Sequence, residues 1–195
     1  MTTEKLDRRK KYTRMVLKES LLELLQENPL SAITVKGICE RADINRSTFY
    51  AHYRDQFDLL ETIENDIITD MKEYLLNFNV QKKEDALRMT EKLIEYFQAK
   101  HEELEILLKV RGESQFERKV MEVARHLIIH GWNEAEHLGE NWSTYISTFI
   151  VSGSVQVIKM WLLDGMKESP RDMAILINNL INQGIYGNRW EHLSS

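Results

Sequence analysis

Between Thr34 and Tyr53 the chain reads TVKGICERADINRSTFYAHY, and Arg46, Ser47, Thr48, Tyr50 and His52 crowd hydrogen-bonding side chains into its second half. Guanidinium, hydroxyl and imidazole groups at this density suit phosphate oxygens and base edges. Residues four apart share a helix face, so Arg46 and Tyr50 point outward together, and Phe49 points inward. Thr34, Lys36 and His52 are placed for the phosphate backbone. His52 has acid–base work as an alternative and Tyr50 a place in the core; the phase of Tyr50 relative to Phe49 argues for contact with nucleic acid.

Two short helices and a tight turn are needed to hold these groups. Thr34 is a good N-cap, and Val35, Ile38, Cys39 and Ala42 follow on one apolar face. Asp43 tolerates the left-handed backbone of an interhelical turn, and Ile44 plugs it. Asn45 then caps a second helix predicted from Arg46 to about Tyr53, completing a helix-turn-helix pattern. A first helix, predicted from Arg8 to Gln26, carries Met15, Val16, Leu17, Leu21, Leu22, Leu24 and Leu25 to cover the pair, and Asn28-Pro29 stops it. Asp55 caps a long helix predicted from Gln56 to Leu76, with Phe57, Leu60, Ile63, Ile67, Ile68, Met71 and Leu75 at helical spacing.

The residues Thr34-Val35, Ile38, Ala42, Ile44, Thr48-Phe49-Tyr50, His52-Tyr53 and Leu59-Leu60 resemble the N-terminal domain of TetR-type (TetR/AcrR-type) transcriptional regulators. That pattern is often written T-V-x-x-I-A-x-x-A-G-V-S-x-x-T-x-Y-x-Y-F, and the resemblance runs over residues 8 to 60. Asp43 replaces the usual turn glycine. Gln56 stands where the family usually has a lysine that touches a phosphate. The resemblance implies a double-stranded DNA operator as partner, a homodimer and, more often than not, a repressor.

Net charge is −5 over 195 residues, yet residues 1 to 60 carry +2 and the remainder −7. Arg8, Arg9, Lys10, Lys11 and Arg14 gather at the mouth of the first helix, and Lys36, Arg46 and Arg54 surround the motif. Such a lobe follows phosphates even on an acidic protein. A hydrophobic content of 43% with two prolines and eight scattered glycines points to a packed all-α chain. The single Cys39 makes no internal disulfide, and the charged N-terminus lacks an apolar signal core, so a cytoplasmic setting is expected. Cys39 itself reads as a packed thiol. Phe149 to Leu163 is the most apolar run, but Gln156 and Lys159 interrupt it; it is expected to be a buried helix and not a membrane span.

Beyond a polar break at Asn77–Asp85, helices are predicted over Asp85–Gln98, Glu102–Lys109, Gln115–Gly131, Asn141–Leu163 and Arg171–Gln183, the last opened by a capping Ser169 and Pro170. Residues 152 to 174 resemble the C-terminal region of the TetR-type subgroup that includes activators of dihydroxyacetone kinase operons. Ser147, Gly153 and Ser154 interrupt a helix apolar on several faces, and Met173, Ile177, Leu180 and Gly184 form a second stripe. Such surfaces fit a four-helix interface between two copies, with filling of the domain core as the alternative.

No catalytic site is expected. Ser152-Gly153-Ser154 lacks the order of a nucleophile elbow and lies in a helical period, and the glycines are isolated. His126 and His130 stand four apart, and His101 and His137 could be imagined beside them, but no cysteine is near and no HExxH occurs, so no metal and no cofactor are expected. Phe97, Met121, Trp132, Tyr145 and Phe149 are the candidates for an apolar effector pocket, each with a core role as its alternative. The organisation expected is a three-helix DNA-binding domain at 1–58 and a helical ligand-binding and dimerisation domain at 59–195. The function expected is a repressor released from a palindromic operator by a small apolar effector. The alternative is an activator whose C-terminal domain answers to a protein partner.

Overall fold

The computed structural model describes residues 3–76, 83–110, 115–131 and 140–186. Among these residues lie nine α-helices, one 3-10 turn and no strand, as expected of an all-α chain. The helices are α1 Thr3–Glu27, α2 Val35–Ala42, α3 Arg46–Tyr50, α4 Gln56–Leu76, α5 Lys83–Ala99, α6 His101–Lys109, α7 Phe116–Gly131, α8 Glu140–Leu163 and α9 Pro170–Tyr186. Two compact units result: Met1–Ile67 with Glu102–Phe116, and Ile68–His101 with Glu117–Ser195. The sequence motif placed a division after residue 58, whereas the packing divides the chain inside α4 and groups α6 with the first unit.

In the first unit α1 packs on α2 and α2 on α3. Leu17, Leu21, Ile38 and Phe49 are fully buried, each stabilising by roughly 1.5–3 kcal/mol. The apolar face predicted for α1 was too broad, because the buried strip is Thr13, Leu17, Ser20 and Leu21 and Met15 lies outside it. Phe57 likewise stays exposed on α4. Pro29 ends α1, and the turn Leu30–Ala32 that follows drives Leu30 into the core, a feature too short for periodicity to reveal. Arg41 on α2 reaches Glu23 on α1 at 3.1 Å. Glu64 is buried on α4, and its carboxylate accepts the backbone N–H of Gln115 at 3.1 Å, just before α7 begins. Otherwise orphaned donors at a helix start favour such an anion.

In the second unit α5 packs along α9, and α8 packs against both. Ile94, Phe97, Val151, Trp161, Ala174 and Ile177 form part of its core. Beyond α8 the chain reverses through Gly165 at φ 87°, and the N–H of Met166 closes on the Trp161 carbonyl at 2.9 Å. Trp161 Nε1 donates to the Glu168 carbonyl at 3.0 Å, locking the reversal. Ser169 Oγ accepts from the Asp172 N–H at 3.1 Å ahead of Pro170, the predicted cap.

The expectation that α8 is buried needs correction. Thr144–Leu163 is long and apolar enough by composition to cross a membrane, yet only 33% of that window is buried within the chain. Tyr145, Phe149, Met160 and Leu163 are exposed along it, while Lys159 pairs with Glu117 at 2.7 Å on the covered side. Periodicity finds apolar residues; which of them a neighbour covers is a tertiary matter.

Candidate nucleic-acid interface

The helix-turn-helix is assembled from local hydrogen bonds. Thr34 Oγ1 accepts the N–H of Gly37 at 3.1 Å and starts α2. Asp43 ends it in the left-handed region at φ 51°, with the Ile44 N–H returning to the Cys39 carbonyl at 3.0 Å. The aspartate thus performs the turn that a glycine usually makes. Asn45 Oδ1 accepts the N–H of Ser47 at 3.1 Å and starts α3. That helix ends at Tyr50 and not at Tyr53 as predicted: the N–H groups of His52 and Tyr53 both return to the Phe49 carbonyl at 2.9 Å, tightening the last turn. Asp55 and Asp58 then open α4. Asp55 accepts the Asp58 N–H, while Asp58 accepts the Arg54 N–H at 2.8 Å. That backbone hydrogen bond leads the causes holding the Asp58 carboxyl below its ordinary value, with the Arg54 guanidinium helping against desolvation.

Phe49 is fully buried and Tyr50 is 59% exposed, the opposite orientations expected of neighbours on a helix that lies on a core. Arg46 and Tyr50 share the outer face, and Arg46 makes no ion pair among the described residues. Thr34, Lys36 and Ser47 are exposed, while Thr48 and His52 are half-buried. Several of these groups already have partners. Thr34 is occupied in capping, Ser47 Oγ donates to Asn45 Oδ1 at 3.3 Å, and Lys36 lies 3.6 Å from Glu40. The freest donors on the face are therefore Arg46 and Tyr50. Burial pushes the Cys39 thiol up, against the pull of Arg46, as befits a packed cysteine.

Tyr53 stands where the family pattern has phenylalanine. It is 5% exposed, and among the described residues its hydroxyl has no hydrogen-bond partner. Burial pushes its phenol up, partly offset by Arg14. An unpaired buried hydroxyl costs roughly 1–3 kcal/mol, so Tyr53→Phe is expected to leave the fold intact and raise stability by up to about 1 kcal/mol. Urea denaturation measures it; a loss of 1 kcal/mol would mean that the hydroxyl has found a partner.

Of the pocket candidates, Phe97 is buried and Met121 half-buried in the second unit, whereas Tyr145 and Phe149 are exposed on α8. Trp132 and His137 lie outside the described residues, as do the side chains of His126 and His130. Among the described residues no group of three or more His, Cys, Asp or Glu is arranged to hold a metal ion.

Residues 19–63 match the family described as bacterial regulatory proteins of the tetR family, and residues 84–183 match a transcriptional regulator C-terminal region. The chain belongs to the TetR family. Together the two matches cover the helix-turn-helix and most of the second unit. As a TetR-family protein it is a DNA-binding transcription regulator. Over 59 residues it is 42% identical to the HTH-type transcriptional regulator YxbF of Bacillus subtilis (strain 168). That stretch is 30% of this chain and only 14% of YxbF. A TetR transcriptional regulator from Streptococcus agalactiae superposes with a TM-score of 0.72 at 21% identity, over 92% of this chain and 99% of that one. A TetR-family regulator from Syntrophomonas wolfei gives 0.70 at 18%, over 91% and 97%. The dihydroxyacetone kinase operon activator DhaS gives 0.60 at 18%, over 89% and 96%. At such identities the likeness is one of fold.

Proposed function

We propose that this TetR-family chain works as a homodimer on a palindromic operator, with Arg46, Ser47, Thr48 and Tyr50 on base edges and phosphates and Thr34, Lys36 and His52 on the backbone. The observation that carries the reading is Phe49 sunk in the core while Arg46 and Tyr50 stand exposed on α3. One such helix reads few base pairs; a two-fold pair set roughly 34 Å apart reads two half-sites.

The second copy docks on the apolar face of α8 and α9, where Tyr145, Phe149, Met160, Leu176 and Leu180 are exposed. Gly153 lies on that face, and a Cβ built there meets nothing within 4 Å. A mid-helix glycine costs about 1 kcal/mol relative to alanine, a cost with no internal reason in this protomer. Close approach of a partner helix supplies one. Gly153→Ala is therefore expected to stabilise the protomer by up to about 1 kcal/mol while weakening self-association, read by sedimentation equilibrium. Tighter association would move the crossing point elsewhere.

We assign the regulatory role of a repressor released by a small apolar effector, for which Phe97 and Met121 are the remaining wall candidates. Release is a population shift: α4 runs unbroken from Gln56 to Leu76, and an effector that favours one position of its C-terminal half moves the end beside α3. A second reading rests on the shared fold with DhaS, by name an activator. In that reading a protein partner replaces the metabolite.

Selection of bound duplexes from a random library at roughly 100 mM salt tests the central claim. An inverted repeat is the expected product; a folded dimer that enriches no sequence would overturn it. Titration of tryptophan emission with candidate metabolites then separates the two regulatory readings.

A further inference from the structure

The buried positions of α4 recur at Leu60, Ile63, Ile67, Ile68 and Met71, and an acid, Glu64, stands among them at 2% exposure. A leucine of similar volume would fill that place without desolvating a charge. What the carboxylate adds is direction: its Oε1 accepts the backbone N–H of Gln115 at 3.1 Å, 51 residues further on. Phe116, the first residue of α7, is itself buried, and the next, Glu117, accepts from Lys159 Nζ of α8 at 2.7 Å. Three consecutive residues are thus held by three different means. The contact of Glu64 lies within the first unit and that of Lys159 within the second, and the chain passes from one to the other between Phe116 and Glu117. Both contacts are partly buried, where salt screens least.

We propose that the first turn of α7 couples α8 to α4, with Glu64 and Lys159 as the positioning residues at its two ends, so that docking of the second copy on α8 biases the position of the helix that follows α3. The proposal rests on the homodimer and operator readings above and adds the residues that connect them. Lys159 is the neighbour of Met160, which is 54% exposed on the face where the second copy docks. A shift of α8 there pulls on Glu117 through the lysine. Phe116 is closely packed, and packed rings hop between discrete positions instead of stretching. Gln115 then either leaves its acceptor or carries Glu64 with it. Parting a buried carboxylate from its donor is the costly course, so α4 follows.

Amide hydrogen exchange on the full chain tests the coupling without DNA. Lys159→Met keeps a long unbranched side chain and removes the charge. It is expected to speed exchange of the Gln115 N–H by at least about tenfold while the amides of α2 keep their rates. Glu64→Leu is expected to free the same N–H, and Glu64→Gln, whose side-chain carbonyl still accepts, to restore its protection. On the selected inverted repeat, Glu64→Leu and Lys159→Met should each weaken binding, and the double variant should lose less than the product of the two losses by at least about threefold. A Gln115 amide indifferent to Lys159→Met, an acceleration spread evenly over the whole chain, or losses that simply multiply overturns the coupling. If the folded protein enriches no sequence, the operator reading falls, and the exchange rates alone decide whether α8 and α4 are coupled.

Discussion

Replacing Phe49 with alanine is expected to lower the stability of the first unit by about 3–5 kcal/mol and to abolish duplex binding. The ring is wholly buried, packs edge-on to Tyr50 at 5.6 Å and lies 5.8 Å from the Tyr53 ring. Its removal leaves a cavity under the helix that presents Arg46. Domains have total stabilities of about 5–15 kcal/mol, so a loss of this size empties much of the folded population. Urea denaturation followed by circular dichroism measures it, with Phe49→Leu expected to lose much less. A loss under about 1 kcal/mol for Phe49→Ala would mean that neighbouring side chains collapse into the space, and the orientation of α3 would then not depend on this ring.

The second large effect concerns association. Phe149 is 81% exposed in the protomer, so Phe149→Asp removes no internal packing. At the proposed interface it places a carboxylate among Tyr145, Met160 and Leu180, where desolvation of an unpaired charge opposes binding. The dimer dissociation constant is expected to rise by at least about 100-fold, with loss of the inverted-repeat complex and helical content unchanged. Sedimentation equilibrium decides it. An unchanged dissociation constant would take Phe149 out of the interface and return it to the list of effector contacts.

Much of the helix-turn-helix geometry was legible because its determinants are local. The caps at Thr34, Asn45 and Ser169, the left-handed turn at Asp43 and the opposed phases of Phe49 and Tyr50 each depend on residues within a turn or two of one another. The bounds of α4, Gln56 and Leu76, were legible for the same reason, from the Asp55 cap and an unbroken period. The premature end of α3 was not, since its last turn is set by the two N–H groups that share the Phe49 carbonyl. Nor was the occupation of Thr34 and Ser47 in capping evident: the same hydroxyls that suit a phosphate also suit a helix terminus.

By itself, then, the sequence determined the family, the helical class and the place of the helix-turn-helix, because that motif is written in caps, turn residues and a short apolar period. Only the tertiary structure decided that Glu64 is buried and holds the N–H of Gln115, and that Tyr145, Phe149 and Met160 stay exposed along α8. These features join residues tens of positions apart. Hydrophobic burial is non-directional and counts only total apolar area, so many pairings satisfy one composition. Packing of specific neighbours chooses among them.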